Sequence, residues 1–180
     1  EYEDKIEEFG GLDLVLCEIG ATGNLAFNEP GSQLSSSCRL MLLGNDSRHI
    51  AASMFNSAEN APHSAITLGI SNLMAAKQII CMAWGENKAS IVKKALEGLP
   101  TDTIPASFLQ NHKRAKIVLD LPAAEQLTRI SQPWLVTSCE WNDKLIRRAI
   151  VWLCMKTGKP ILKLTNKDYN DHGLSEILEL

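Results

Sequence analysis

The sequence predicts an α/β fold in which helices cover both faces of a parallel β-sheet. Three short apolar segments of strand type each lead into a segment with helical spacing, an alternation that is typical of parallel sheets. With 180 residues the chain can form one domain with a sizeable core. Its hydrophobic content of 45% and its charged content of 22% are ordinary for a globular protein.

The chain opens with a helical segment, a strand and a loop. Residues 1–9 place three apolar side chains on one helical face, and the two glycines that follow end this pattern. The nearly continuous apolar run at 12–19 predicts a buried strand, and the Gly-, Asn- and Ser-rich residues 22–37 predict a loop. Because the first segment looks like the end of a longer helix, we expect the natural chain to extend upstream of Glu1.

The middle of the chain alternates between further strands and helices. Strands are predicted where short apolar runs are bounded by turn residues, and helices where apolar residues recur at helical spacing. The predicted strands are 39–43, 78–83 and 116–119, and the predicted helices are 46–55, 88–96, 106–112 and 122–130. Residues 64–76 are expected to form a strand followed by a helix, with Gly69 interrupting the pattern.

The C-terminal part differs in texture from residues 1–130. We expect residues 131–180 to form an extension that packs on the same domain or on a neighbour. Residues 143–155 have a helical spacing that ends at Gly158, and strands are predicted at 134–137 and 161–164. Three of the four tryptophans lie in this extension, and such side chains pack well on another surface.

The composition argues against several classes of function. The net charge of −3 disfavours a broad nucleic-acid interface, which usually shows as a basic patch. No apolar run approaches the length of a membrane-spanning helix and no secretory leader stands in these residues, so we expect no membrane partner. The five cysteines are odd in number and lack C-x-x-C spacing, which favours a reduced, cytoplasmic setting without a disulfide framework or a zinc site.

The candidate functional segment is residues 14–30, which read LVLCEIGATGNLAFNEP. An apolar strand here ends in a polar loop broken by glycines, and open α/β sheets bind their ligands at such strand ends. The segment resembles the signature G-x-G-x-D-G-H-I-A-F-N-E-P of the glucosamine-6-phosphate deaminase/isomerase family. It departs from that signature at two positions that matter for the chemistry, where Thr22 stands in place of an Asp and Asn24 in place of a His.

The resemblance extends along the chain to residue 127. The segment SAITLGISNLM at 64–74, the strand and lysine turn at 76–88, and the stretches at 95–112 and 116–127 follow in the family's order. The C-terminal part resembles the extension of family members that are fused to a deacetylase-like domain. The resemblance implies a three-layer, Rossmann-like α/β domain with a mostly parallel sheet, and a homo-oligomer.

The reaction that the resemblance implies converts glucosamine 6-phosphate to fructose 6-phosphate and ammonia without a redox cofactor. The sugar ring opens, a proton moves between the first two carbons and the amine leaves, which requires an acid–base pair. In the family an upstream carboxylate abstracts the proton, the signature His opens the ring, and the signature Asp and Glu orient that His. The family's phosphate loop and that carboxylate, which precede the signature in the family, are not among the present residues.

Glu29, Asn24 and Thr22 hold the catalytic positions of the signature. An amide and a hydroxyl cannot exchange a proton near neutral pH as histidine does, so the resemblance implies an impaired or altered active site. Three histidines are candidates to replace the missing imidazole, although each is more often a surface or packing residue: His49, His63 and His112.

Gly20, Gly23 and Lys88 are the candidate substrate-binding residues. The glycines are expected to let the backbone approach the ligand, and Lys88, in a G-x-x-K turn, matches the family lysine that meets the substrate phosphate. A plainer reading stands beside each, because glycines also form simple turns and lysines at helix starts are often solvated. Arg39 matches an arginine that binds a regulatory sugar phosphate in some bacterial members, but its Lys and Thr neighbours are replaced by apolar residues, so that site is expected to be lost.

Two hypotheses about function follow. The first is an enzyme that acts on an amino-sugar phosphate through an altered active site, in which Glu29 works with an upstream carboxylate. The alternative is a catalytically silent sugar-phosphate-binding or regulatory module fused to another domain. A scaffold without a ligand is disfavoured, because Glu29, Lys88 and the glycines are retained. No cofactor and no metal are expected in either case.

Overall fold

A computed structural model describes residues 1–180 of the chain. The chain forms two compact units, Glu1–Gln126 and Leu127–Leu180, which are described one at a time. The strands are β1 (Leu14–Glu18), β2 (Arg39–Leu42), β3 (Ser64–Thr67), β4 (Gln78–Ala83) and β5 (Ala115–Leu119). The α-helices of the first unit are α1 (Tyr2–Glu8), α2 (Asn45–Ala51), α3 (Ile70–Met74), α4 (Ala89–Glu97) and α5 (Leu121–Ala124), with 3₁₀ helices at Glu86–Lys88 and Pro105–Asn111. The predicted domain boundary at residue 130 stays a prediction.

A three-stranded parallel sheet organises the first unit, in the order β1-β4-β5. Cys17 of β1 lies opposite Cys81 of β4, which lies opposite Ile117 of β5. Each strand coincides with its predicted range to within a few residues at the ends. The predicted α/β class and the mostly parallel sheet are therefore confirmed.

The two faces of this sheet differ in burial. Ile79, Cys81 and Ala83 of β4 are fully buried, whereas Leu14 and Leu16 of β1 are 50% and 64% exposed. Because successive side chains of a strand point to opposite faces, the exposed leucines share one face of the sheet. The predicted burial of β1 is wrong in the first unit, because an apolar run indicates a tendency to avoid water but does not say what covers each face.

A separate antiparallel ribbon of β2 and β3 lies between β1 and β4 in sequence, with Leu40 opposite Ile66. Together with α3 it confirms the strand and helix predicted for residues 64–76. The predicted helix 122–130 is wrong in its middle. The segment divides into α5 and α6 (Thr128–Ser131), because the backbone at Leu127 is extended with a ψ of 140°.

The second unit is helical. It contains α6, α7 (Asp143–Thr157), α8 (Asn166–Asp171) and 3₁₀ helices at Pro133–Leu135, Ile161–Lys163 and Ser175–Glu179. Its buried core consists of Trp134, Ala149, Leu153 and Leu174. Trp134 stacks on Trp141 with ring centroids 6.2 Å apart and meets Trp152 edge-on at 5.8 Å. The tryptophans of the extension thus pack on one another inside this unit.

The sequence predicted the long helix of this unit but not its short turns. α7 contains the predicted helix 143–155 and ends at Gly158, as expected. The strands predicted at 134–137 and 161–164 are wrong, since both segments contain 3₁₀ helices. Pro133 and Pro160 lead into these turns, and a proline ring fixes φ and removes the N–H that a strand ladder needs.

Three further observations concern the whole chain. None of its helices combines the length and the apolar character needed to cross a bilayer. No three side chains of His, Cys, Asp or Glu come together as a set that could hold a metal ion. All five cysteines are free thiols.

Candidate functional site

The loop that follows β1 is folded tightly on itself. Ile19 and Leu25 are fully buried and pair through an isolated antiparallel bridge. The Gly20 N–H donates a hydrogen bond to the Asn24 carbonyl oxygen at 2.9 Å, and the Gly23 N–H donates one to the Gly20 carbonyl oxygen at 2.9 Å. Since the loop begins where β1 ends, these bonds fix residues 20–24 at the carboxyl end of the parallel sheet.

The two glycines of this loop are required by its own packing. A Cβ atom on Gly20 would lie 1.9 Å from the Asn24 side-chain oxygen. Gly23 has a φ of +79°, which side-chain-bearing residues rarely adopt, and a Cβ atom there would lie 2.6 Å from Ile104 Cγ2. The loop geometry therefore explains both glycines, and their contact with a substrate stays a prediction.

The side chains of Thr22 and Asn24 bond to each other. The Thr22 hydroxyl donates to Asn24 Oδ1 at 2.9 Å, and Asn24 Nδ2 donates to the Ala26 carbonyl oxygen at 2.7 Å. Both side chains are neutral near pH 7. The two side chains thus form a hydrogen-bonded pair that cannot carry a proton near neutral pH, and their replacement of a family Asp and His stays a prediction.

Glu29 is a buried carboxylate held by α2. Its side chain is only 7% exposed, and its Oε1 accepts a hydrogen bond from the Ser47 hydroxyl. Gly44, which precedes α2, lies beside this carboxylate, and a Cβ atom there would be in ordinary van der Waals contact with Oε2 at 3.6 Å. Sequence reasoning missed Ser47, because it lies 18 residues away in a helix without a signature of its own.

Lys88 lies at the end of β1. Its Nζ donates hydrogen bonds to the Ile19 carbonyl oxygen at 2.6 Å and to Glu18 Oε1 at 3.1 Å, and its side chain is 12% exposed. An ammonium has three N–H donors, so one remains for a further acceptor. The predicted lysine is therefore directly beside Gly20, and the carboxylate of Glu18 partly neutralises its charge.

A buried hydrogen-bond network supports the segment around Glu29, and sequence reasoning missed it. Asn28 is fully buried; its Nδ2 donates to the carbonyl oxygens of Leu25 and Leu68, and its Oδ1 accepts from Arg39. The other guanidinium nitrogen of Arg39 donates to the hydroxyl of Ser32 at 2.8 Å. Several of these bonds join residues that are 11 or more positions apart in the sequence, so no local sequence pattern predicts the network.

None of the three candidate histidines forms a hydrogen bond with the loop of residues 20–30. His49 Nδ1 is 3.0 Å from the Asn45 carbonyl oxygen within its own helix, and His63 is exposed. His112 Nδ1 accepts from the Arg114 N–H at 3.2 Å, which leaves Nε2 to donate to the Ala76 carbonyl oxygen at 2.8 Å. Since both nitrogens of His112 bond to backbone, its ring has a structural role away from the loop of residues 20–30.

The structure brings Thr22, Asn24 and Gly20 together, with Lys88 bonded to the residue before them. Glu29 contacts α2 instead, and no bond joins it to Lys88.

Two cavities lie elsewhere in the molecule. One of about 350 Å³ is lined by Met74, Ala76, Lys77, Asn111, His112, Lys113 and Arg114. The other, of about 420 Å³, lies in the second unit and is lined by residues that include Trp134, Arg147 and Trp152.

The sequence matches known proteins over most of its length. The model of the family described as glucosamine-6-phosphate isomerases/6-phosphogluconolactonase matches residues 1–119. A glucosamine-6-phosphate deaminase-like protein of Bacteroides thetaiotaomicron is 61% identical over 179 residues, which is 99% of this chain and 27% of that protein. The glucosamine-6-phosphate deaminase of Shewanella halifaxensis is 42% identical over 127 residues, which is 71% of this chain and 48% of that protein. The chain thus spans 27% to 48% of the length of these curated relatives.

Two solved structures share the fold. A monomeric glucosamine-6-phosphate deaminase, described as a missing link of the NagB superfamily, aligns with a TM-score of 0.67 and 34% identity over 69% of this chain and 52% of that chain. The 6-phosphogluconolactonase of Trypanosoma cruzi aligns with a TM-score of 0.53 and 22% identity over 71% of this chain and 50% of that chain. The second likeness concerns the fold alone, and together they confirm the predicted Rossmann-like α/β domain.

Proposed function

Because the chain belongs to the glucosamine-6-phosphate isomerase/6-phosphogluconolactonase family, we propose that the protein acts on an amino-sugar phosphate through an altered form of the family's site. The observation that carries the proposal is the buried carboxylate of Glu29, which is retained in the N-E-P segment and oriented by Ser47. A carboxylate removed from water and fixed by a hydroxyl is suited to orient or accept a proton.

The proposed reaction is isomerisation of the opened sugar with loss of ammonia. Glu29 takes part in proton transfer together with a carboxylate from the upstream part of the full-length protein. Thr22 and Asn24 orient the sugar hydroxyls by hydrogen bonds and transfer no proton. An acid–base group contributes typically about 10² to 10⁴-fold to a rate, so turnover is expected to fall below that of a deaminase with the full signature by a factor of this size.

The proposed phosphate contact is the remaining N–H of Lys88. A hydrogen bond between an ammonium and a phosphate oxygen is charge-assisted and therefore stronger than a neutral one. Lys88 is oriented before any ligand arrives, because the Ile19 carbonyl oxygen and Glu18 hold its Nζ. Gly20 and Gly23 shape the loop beside it. No cofactor and no metal take part in the proposed reaction.

The setting proposed for this reaction is the cytoplasm, with a homo-oligomeric protein and a further domain of deacetylase type on the same chain. The five free thiols support a reducing compartment. The length of the Bacteroides relative, of which this chain covers 27%, supports the presence of further segments.

The decisive experiment measures ammonia and fructose 6-phosphate released from glucosamine 6-phosphate by the full-length protein. Glu29→Gln should abolish product formation, whereas Glu125→Gln, which changes an exposed acid outside the site, should leave it unchanged. The double variant Thr22→Asp with Asn24→His should raise the rate, because it restores an ionisable pair. If the protein binds glucosamine 6-phosphate but releases no ammonia, the result would favour the silent binding module. If it shows no ammonia release and no binding, the proposal is refuted.

A further inference from the structure

A single arginine connects β2 with the segment that carries Glu29. We propose that Arg39 is the positioning residue of this site: its guanidinium bonds to side chains on both sides of Glu29 in sequence and so fixes the direction of the Glu29 carboxylate. The role assigned to Glu29 itself rests on the proposed function. The hydrogen bonds that hold its backbone do not.

The geometry brackets Glu29 between two anchored residues. Arg39 Nη1 donates to Asn28 Oδ1 at 2.9 Å and to the Ser37 carbonyl oxygen at 3.1 Å, while Nη2 donates to Ser32 Oγ at 2.8 Å. Asn28 is fully buried and Ser32 is 3% exposed, so water cannot readily replace these bonds. A movement of the backbone at Glu29 would therefore strain hydrogen bonds on both sides of it.

Asn28 connects the Arg39 guanidinium to other parts of the loop through further hydrogen bonds. Its Nδ2 donates to the Leu25 carbonyl oxygen at 3.0 Å and to the Leu68 carbonyl oxygen at 2.8 Å. The Ser32 N–H donates to the Glu29 carbonyl oxygen at 3.0 Å. The guanidinium is therefore the first member of a continuous set of bonds that joins β2, the end of β3 and the backbone of Glu29.

The charged guanidinium of Arg39 donates its hydrogen bonds to acceptors within the protein. It forms no ion pair, and its oxygen acceptors are two neutral side chains and one carbonyl group. Bonds from a charged donor are roughly twice as strong as neutral ones, and a planar guanidinium can reach two acceptors at fixed angles, which a lysine cannot do. An anionic ligand would have to displace these acceptors first, so the geometry favours positioning over ligand binding.

The test uses the full-length protein and Arg39→Lys, which keeps the charge but removes the two-pronged geometry. Amide hydrogen exchange in the peptide covering Leu25–Ser32 should become about tenfold faster or more, while amides of β4 exchange as in the unaltered protein. Arg114→Lys, at an exposed arginine whose side chain has no protein partner, should change neither peptide. Ser32→Ala, which removes one acceptor only, should loosen the same peptide to an intermediate extent and serves if Arg39→Lys does not fold.

A kinetic readout separates positioning from a merely structural role. Misplacing Glu29 should lower kcat for ammonia release by about 10²-fold with KM little changed, because substrate contacts elsewhere are intact. Unchanged exchange in Arg39→Lys, or faster exchange with an unchanged kcat, would overturn the inference. If the unaltered protein releases no ammonia, the proposed function fails, and the exchange experiment still decides whether Arg39 holds the loop.

Discussion

The loop around Asn28 and the tryptophan core of the second unit are both buried, but opposite kinds of interaction hold them. The Asn28 side chain donates hydrogen bonds to two carbonyl groups and accepts one from a guanidinium. The second unit is held by apolar contact between Trp134, Leu153 and Leu174 and by ring packing. Hydrogen bonds are directional and specify one geometry, whereas apolar burial scales with area and tolerates small shifts. A site needs the first kind of support, and a stable extension needs the second.

The largest effect in this comparison is expected from the apolar region. Leu153→Ala removes a fully buried side chain, so the free energy of unfolding of the second unit should fall by about 2–5 kcal/mol. Urea unfolding followed by tryptophan fluorescence measures it, since three of the four tryptophans report on this unit. Met155→Ala on the same helix, where the side chain is 80% exposed, should change stability by less than about 0.5 kcal/mol. Equal effects of the two variants would contradict the burial described for α7.

An intermediate effect is expected from the polar region. Asn28→Ala leaves two carbonyl groups and one guanidinium donor without their partner, so the free energy of unfolding of the first unit should fall by about 1–3 kcal/mol. Product formation should fall with it, because Glu29 follows directly. The control is Asn111→Ala, at an exposed asparagine. A loss of stability with full activity would show that the hydrogen bonds of Asn28 do not determine the position of Glu29.

The smallest effect is expected from a surface ion pair of the second unit. Lys159 donates to Asp168 Oδ1 at 2.7 Å, and the Thr165 N–H and hydroxyl each donate to Oδ2 at 2.8 Å. These bonds, that of Lys159 first, lower the pKa of Asp168 from 3.8 to about 2. Because the pKa is lower in the folded chain, ionised Asp168 adds stability that is fully present above 3.8 and is lost as the pH falls through about 2.

Thermal unfolding of Asp168→Asn across this pH range tests that linkage. The difference in Tm between the unaltered chain and the variant should be constant above pH 4 and should shrink as the pH approaches 2. Asp171→Asn, a neighbouring exposed aspartate, should show no such trend. A Tm difference that does not change with pH would contradict a stabilising role of ionised Asp168 in this unit.

The sequence predicted the elements that depend on local periodicity and the loop that depends on a family motif. β1, β4, β5 and α7 follow from apolar spacing, because burial of one face leaves a repeating pattern in the chain. Thr22 and Asn24 are candidates because they depart from the motif that the segment resembles. The strands predicted at 134–137 and 161–164 failed because short apolar runs also form tight turns, and the prolines beside them favoured turns.

The supporting residues of the site could not be predicted in the same way. Ser47 and Arg39 contact the loop across 18 and 11 residues of sequence, from elements whose own patterns are ordinary. Their roles depend on how β2 and α2 fold back on the loop, which is a property of the tertiary structure. The exposed face of β1 has the same cause, since the sequence of a strand does not state which neighbour covers it.

The anchoring of Lys88 has a thermodynamic consequence for any ligand that reaches it. Freezing the rotamers of a free lysine costs up to about 2 kcal/mol, and that expense normally falls on the binding event. Here the Ile19 carbonyl oxygen and Glu18 have already immobilised the side chain during folding. A phosphate that meets the third N–H therefore encounters a rigid, directed donor, and its association should show a smaller entropy penalty than contact with a solvated lysine.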